Sequence, residues 1–588
     1  MQDLRAVPRR MPVRARPARD GRARRRRARS SSVADGLAER RPDPGPVVGA
    51  LDRGGDPRAR GAGPACGRGV LGGVRRRPPR DALRPRHRLP GDRRGGGDRL
   101  RPHGDAERRP GVRAGARRRR ARAPRRGAVS RRVVVVGGGV TGLATAYRLV
   151  SAGMDAVVLE AEREPGGKVR SAEVGGLRLE AGPDSLLGRK PWGVELCREL
   201  GLGEELEPPA PVPTHVYTAR GLLRFPSGPF GISTDVGELL RWPGMSLAGK
   251  LRAAADLALP RRRDEGDESL GSLLRRRIGD EAAEALVAPL LGGLFAGDVD
   301  RLSVQATFPE LAAWEREHGS LLLGAKAQMR AAAANRRPGE DPPPMFLRLR
   351  GGLVRLVGAL AAAIGPGRLR LGTAVTAIEP AGLGYRVVAD GEALEADAVV
   401  LATPAFVAAE LLAPLAPAVV PLLAAIPYVS TAVVLLVYPE GTGSALPRSS
   451  GFVAPRGALA ITAATFVSRK WPEEAFGDRA VVRCFVGASG TEDLVDQPDE
   501  DIVEGVGRQL AAIVGLPERP EAARVIRWPH AMPQYEVGHL DRVAEIERGL
   551  PPGLFVVGQA YRGAGIPDCV RQANELAARI TGASTSRA

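Results

Sequence analysis

The first 130 residues contain no Phe, Trp, Tyr, Ile, Lys or Asn. A segment without large apolar side chains cannot bury enough surface to offset the entropy of ordering, so no folded core is expected there. Thirty-nine of the 88 basic residues and 12 of the 66 acids fall in this segment, a net charge of +27. The other 458 residues carry a net −5, so the whole-chain +22 belongs to the N-terminal segment alone. One reading of residues 1–130 is a basic arm for nucleic acid or an anionic membrane. The simpler reading is that Arg, Gly, Pro and Ala without Lys or Ile are what GC-rich DNA yields in an unselected reading frame. On that reading the segment is disordered, the true start lies at Val129 and no nucleic-acid partner is expected.

Long apolar runs are also missing. The N-terminus has charges but no apolar stretch of a secretory signal. The most apolar region, Ala398 to Val429, contains Glu410 and prolines at 404, 414, 417, 421 and 427. Such proline density argues against a helix that spans a bilayer. Cysteine is scarce: Cys66, Cys197, Cys484 and Cys569 are scattered without metal-ligand spacing. They suit reduced thiols in the cytoplasm and imply no metal site.

What is present begins at residue 131. Val133 to Val136 is a β-branched run that reads as a buried parallel strand. It leads straight into Gly137, Gly138, Gly139, Val140, Thr141 and Gly142. Glycines at these positions allow a tight turn, let a pyrophosphate approach the backbone and let a helix pack on a strand. Leu143 to Ala152 has helical spacing, and its N-terminal amides would face the phosphates. Gly153 ends that helix, and Ala156 to Leu159 forms a second strand closing on Glu160, where a ribose hydroxyl would be held. Strand, glycine turn, helix, strand and acid in this order predict a dinucleotide site.

Later residues narrow the cofactor to FAD. The stretch Gly166, Gly167, Lys168 to Ser171 resembles the second glycine motif of amine oxidase-like flavoproteins. Gly182, Pro183, Asp184 and Ser185 resemble that superfamily's next flavin-contacting loop. Near the C-terminus a strand reaches Gly558, followed by Gly565, Ile566, Pro567 and a helix from about Cys569 to Thr581. Backbone amides at that helix start could stabilise reduced flavin. A Rossmann-like FAD domain assembled from both ends of the chain is therefore expected.

Four further segments carry a closer resemblance: "LVAPLLGGLFAGDVDRLSVQATFPEL" (286–311), "RLRGGLVRLVGAL", "RWPHAMPQYEVGH" and "GQAYRGAGIPDCVRQANELA". Together with the glycine motifs they resemble the oxygen-dependent coproporphyrinogen III and protoporphyrinogen IX oxidases of haem synthesis. The likeness covers essentially all of residues 131–588. It implies an α/β fold with an FAD domain, a mixed-sheet substrate domain and a small helical domain. It implies six-electron oxidation of a porphyrinogen with O2 as acceptor. Matching cofactor positions add Ala161, Val375 and Trp528 to those already named. Arg189 and Lys190 match a basic pair near the substrate pocket, where they would pair propionates. No catalytic side chain is nominated, since the cofactor carries the chemistry; His530 and His539 read as structural or rim residues.

The expected layout is FAD-binding at 131–209, 339–405 and 528–588, substrate domain at 210–236 and 406–527, and helices at 237–338. Residues 336–345 read as a proline-rich linker, and Asp390-Gly391 as a hairpin turn. The helical stretch "SLAGKLRAAADLALPRRR" reads as an amphipathic core helix, with contact to the inner face of the membrane as the alternative. Amine oxidase and carotenoid desaturase are the rival enzyme readings on the same scaffold.

Overall fold

The computed structural model describes residues 131–264, 266–334 and 344–582. The readings of residues 1–130 and most of the 336–345 linker lie outside the described residues.

The β-branched run forms strand β1 (Arg132–Val136) and hands directly to helix α1 (Val140–Ser151). The helix begins three residues earlier than its spacing predicts, because Gly139 sits at its N-cap in extended conformation. Gly153 at φ +83° follows its end, a left-handed position that favours glycine. Strand β2 (Asp155–Leu159) then lies parallel to β1. The remaining strands of this sheet come from far along the chain: β3 (Leu369–Arg370), β4 (Ala398–Leu401) and β5 (Leu554–Val556). The order is β3-β2-β1-β4-β5, every neighbour parallel.

A parallel sheet must be covered on both faces. Val133 and Val135 point into a core with α1, the helix Val354–Ile364 and α2 (Ile566–Thr581). Val134 and Val136 point into the opposite core, with the three-stranded meander Val375–Ala381, Gly384–Ala389 and Glu392–Ala396. The meander's second hairpin turns on Asp390 and Gly391, both at positive φ, as the Asp-Gly pair predicts. The last helix starts at Ile566, three residues before its predicted Cys569, with Pro567 in its first turn.

The second sheet has seven strands in the order Ala522–Pro533, Tyr428–Val437, Val481–Val486, Ile461–Phe466, Gly451–Val453, Thr214–Thr218 and Gly221–Arg224. Neighbours are antiparallel except Gly451–Val453 beside Thr214–Thr218, which makes the sheet mixed, as the resemblance implies.

Most of the described residues between 236 and 334 are helical, and their apolar core also takes in Val216 and Ile232. A fully buried ion pair stands inside it. Arg277 Nε donates to Asp256 Oδ1 at 2.6 Å, while Asp256 Oδ2 accepts from Ser320 Oγ and the Leu322 amide. Buried charges are tolerated only when satisfied in this way. The exposed faces of the helices Val236–Arg241 and Leu247–Ala254 keep Leu240, Leu247 and Leu251 in solvent, so the core-helix reading describes only part of this stretch. Among the described residues no helix is long and apolar enough to cross a membrane.

Candidate functional site

The site forms at the carboxyl end of the parallel sheet, where open α/β sheets place their ligands. The glycines at the β1–α1 turn have distinct reasons to be there. Gly137 adopts φ +105°. A Cβ on Gly142 would stand 1.9 Å from the Gly137 carbonyl oxygen, so only glycine lets α1 lie this close to the turn. A Cβ on Gly139 would meet nothing within 4 Å, which leaves open space beside the first turn of α1. Val140, Thr141 and Gly142 are buried behind that space, and the first turn of α1 holds no acid.

The Gly138 amide donates to Glu160 Oε2 at 2.5 Å, and the Glu162 amide to Glu160 Oε1 at 2.9 Å, with Ala161 exposed between them. Glu160 is further tied by its carbonyl, which accepts from the Thr373 amide at 2.7 Å, two residues before Val375. Gly166 closes on the turn from the other side: its amide donates to the Gly138 carbonyl at 2.8 Å, and it bridges Gly139. A Cβ on Gly167 would lie 3.4 Å from Gly139 Cα.

Lys168 points away from this turn toward two later segments. Its ammonium donates to the Ala531 carbonyl and, at 2.6 Å, to Gln559 Oε1. Burial pulls its pKa down to about 8. A Cβ on Gly182 would strike the Lys168 carbonyl oxygen at 1.9 Å, so the loop of Gly182 and Pro183 packs backbone to backbone against the second glycine motif. The Trp528 indole N–H donates to the Ala181 carbonyl at 2.9 Å, which orients the ring beside Gly182. A Cβ on Gly558, at φ +128°, would lie 3.6 Å from Thr141 Oγ1, so the C-terminal strand reaches the start of α1. Gly565 caps α2, followed by half-buried Ile566, and Pro567 packs 3.3 Å from the Cβ position of Gly193.

Asp184 is gripped by the mixed sheet. Its Oδ2 accepts from Lys470 at 3.0 Å and lies 3.2 Å from Arg483, and its Oδ1 accepts from Ser185. Burial alone would raise this carboxyl, but Arg483 and Lys470 together hold it well below the usual carboxylate range. Arg483 also donates to the Gly182 carbonyl at 3.0 Å. Glu180 stands at the edge of the same cluster. Burial raises it to about 7, against the hydrogen bond it accepts from the Leu353 amide at 2.6 Å and the charge of Arg483.

The two residues nominated for substrate separate. Lys190 is held by Asp568, both carboxylate oxygens 2.7 Å from its ammonium, at the start of α2. A propionate would have to displace that carboxylate. Arg189 lies over the Phe230 ring at 4.8 Å and approaches Glu310 at only 4.0 Å. His530 is exposed, at φ +46° in an irregular stretch of its strand, whereas His539 is fully buried and pulled down to about 4 by that burial.

These residues fit a flavin dinucleotide. There is room at Gly139, an uncapped helix start and an acid at the strand end. Thr403 Oγ1 and Tyr561 Oη are also buried without a hydrogen-bond partner. Asp568, Gln559, Lys470 and Arg483 escaped the sequence reading. The first two sit inside quoted motifs, but Lys470 and Arg483 lie in unremarkable strand and helix sequence nearly 300 residues from Asp184 and carry no local signal.

The family model described as flavin containing amine oxidoreductase matches residues 140–581. A coproporphyrinogen III oxidase of Bacillus subtilis is 36% identical over 452 residues, covering 75% of this chain and 96% of that protein. A chloroplastic protoporphyrinogen oxidase of Oryza sativa subsp. japonica is 30% identical over 77% of this chain and 88% of its own length. A solved structure from Exiguobacterium sp. 255-15, provisionally named a protoporphyrinogen oxidase, superimposes with TM-score 0.69 at 34% identity, over 77% of this chain and 99% of its own.

Two tests follow from this geometry. A Cβ at Gly139 meets nothing within 4 Å, so Gly139→Glu is expected to keep the wild-type far-ultraviolet dichroism while purifying without flavin. A yellow Gly139→Glu protein would refute the placement of the phosphates. Glu180 ionises near 7 when folded and near 4.5 when unfolded, so unfolding releases a proton between those values. Rising pH therefore destabilises the wild type across that window, by up to about 3 kcal/mol, and Glu180→Gln removes the effect. Urea midpoints at pH 5 and pH 8 decide it; parallel profiles for the two proteins would exclude a protonated Glu180.

Proposed function

This chain belongs to the flavin-containing amine oxidoreductases, and on that premise we propose that it oxidises coproporphyrinogen III to coproporphyrin III in haem synthesis. Six electrons leave the macrocycle in three two-electron steps, and three O2 become three H2O2. The observation that carries this reading is the identity to the Bacillus subtilis coproporphyrinogen III oxidase, which runs along 96% of that protein. Protoporphyrinogen IX is the second substrate to consider, on the likeness to the rice protein.

When bound, FAD supplies the hydride acceptor. The chain's own groups hold and orient. Trp528 is tied to Ala181 by its indole N–H, and the adjoining Gly182–Ser185 loop is tied to Arg483 through the Gly182 carbonyl. Lys168 ties the second glycine motif to Gln559 of the C-terminal loop. Arg189 is the cation best disposed to meet a propionate. Its side chain is more than a third exposed, and the Glu310 carboxylate stands 4.0 Å away. Lys190 instead secures α2 through Asp568. No nucleophile and base pair is required, because positioning the macrocycle against the cofactor does the protein's share. The amine oxidase reading is weaker: Tyr561, the ring an amine cage would draw from this loop, is buried at 1% exposure.

Three buried free cysteines suit a reducing cytoplasm. Leu247 and Leu251 are 69% and 59% exposed on the helix that also carries Lys250, and this helix supports peripheral contact with an anionic membrane.

Aerobic assays with the two porphyrinogens, followed by porphyrin fluorescence, test the substrate. Coproporphyrinogen is expected to react faster, and Arg189→Ala to raise its KM about tenfold, as loss of one charge-assisted pair would. Lys190→Ala should leave that KM nearly unchanged. Oxidation of protoporphyrinogen alone would reverse the substrate assignment, and an unaltered KM in Arg189→Ala would move the propionate site. For the membrane, Leu247→Glu with Leu251→Glu should abolish co-sedimentation with phosphatidylglycerol vesicles; wild-type protein that stays in the supernatant refutes the contact.

A further inference from the structure

We propose that Tyr535 and His539 form a positioning pair that sets the loop Gly558–Gly565 for the flavin and couples it to the helical part of the chain. The inference rests on the flavin reading above.

Both side chains are buried, with 1% and 0% exposure, and their rings stack with centroids 4.1 Å apart and planes 13° apart. From this stack three bonds reach alternate residues of the loop. The Tyr535 hydroxyl donates to the Gln559 carbonyl and accepts from the Gly563 amide at 3.1 Å. His539 Nε2 lies 2.9 Å from the Tyr561 carbonyl. A carbonyl only accepts, so Nε2 carries the proton and Nδ1 is the bare nitrogen. That nitrogen is buried without a partner, as a ring selected for its Nε2–H would leave it. The ring's lowered pKa keeps it neutral above about pH 4, with Arg542 and Arg562 opposing and Asp267 favouring its charge.

The other side of the same short segment is bound to the helical part. The Ser303 amide donates to the Tyr535 carbonyl at 2.7 Å, and the Gln534 side chain donates to the Phe295 carbonyl at 2.9 Å. Leu302 and Glu536 form an antiparallel bridge, and the Gly538 amide donates to Asp267 at 3.1 Å. The Phe295 ring packs on Tyr535 with centroids 5.7 Å apart. Residues 534–539 thus have one edge on the helices and the other on the loop that reaches Lys168 through Gln559. Burial alone would be served by phenylalanine at 535; the hydroxyl and the imidazole N–H are there to fix backbone atoms. Neither side chain lies within the nominated cofactor set, so they act through the loop.

The test uses the full-length protein and measures FAD dissociation, flavin reduction potential, and kcat and KM for coproporphyrinogen. Tyr535→Phe removes both loop bonds while keeping the stack. It is expected to keep the wild-type far-ultraviolet dichroism, bind FAD about tenfold more weakly and show a shifted reduction potential. Its kcat should fall while KM stays nearly constant. A purely structural tyrosine would change melting temperature without moving FAD affinity or potential, and that result overturns the proposal. Should Tyr535→Phe fail to fold, the His539 variants decide. His539→Gln retains a side-chain N–H for the Tyr561 carbonyl and should bind FAD more tightly than His539→Ala. Equal affinity of the two overturns the pair. Wild-type protein that takes up no FAD overturns the flavin reading itself, and this inference falls with it.

Discussion

The close approach of α1 to the turn that follows β1 is the constraint on which the rest depends. Gly142 leaves no room for even one carbon beside the Gly137 carbonyl, so strand and helix meet without a side chain between them. That contact leaves the amide end of α1 open at Gly139, and three other segments arrive around it. Glu160 comes from the neighbouring strand, Gly166 from the loop after it, and Gly558 from the far end of the chain. A parallel sheet of strands from distant stretches brings these ends together.

Around this centre, charge is used to join parts of the protein rather than to cover its surface. Asp184 of the Gly182–Ser185 loop is held by Lys470 and Arg483, from the region of the mixed sheet. Lys168 spans Ala531 and Gln559, and Lys190 spans to Asp568. Each is a buried or half-buried pair, where the low local polarity makes a charge-assisted bond strong and an unpaired charge costly. These loops are therefore set by the mixed sheet and the C-terminal helix together. Tyr535 and His539 extend the same principle with neutral groups, gripping backbone atoms of the last loop from the helical side.

The parts legible in the sequence are the local ones. The Val133–Val136 strand, the glycine turn, the Asp390-Gly391 hairpin and the strand near Gly558 all announce themselves over a few residues, because periodicity and glycine placement are short-range signals. Helix boundaries slipped by three residues at α1 and α2, since a glycine in extended conformation can cap a helix without any capping side chain. The two basic residues at 189 and 190 read alike in sequence. They part in space because one faces Phe230 and Glu310 and the other faces Asp568.

By itself the sequence determined that a flavin dinucleotide fold begins near residue 131, that the N-terminal 130 residues lack the side chains for a core, and that the motifs belong with porphyrinogen oxidation. Those conclusions depend on residue types and spacings that act within a turn or two of chain. Only the tertiary structure decided which charges are already paired, that Lys190 meets Asp568 while Arg189 keeps only a distant carboxylate, and that His539 is buried against the Tyr561 carbonyl. These are properties of contacts between residues tens to hundreds apart. Burial and partnership, which set a side chain's charge and hydrogen bonding, exist only once the chain is folded.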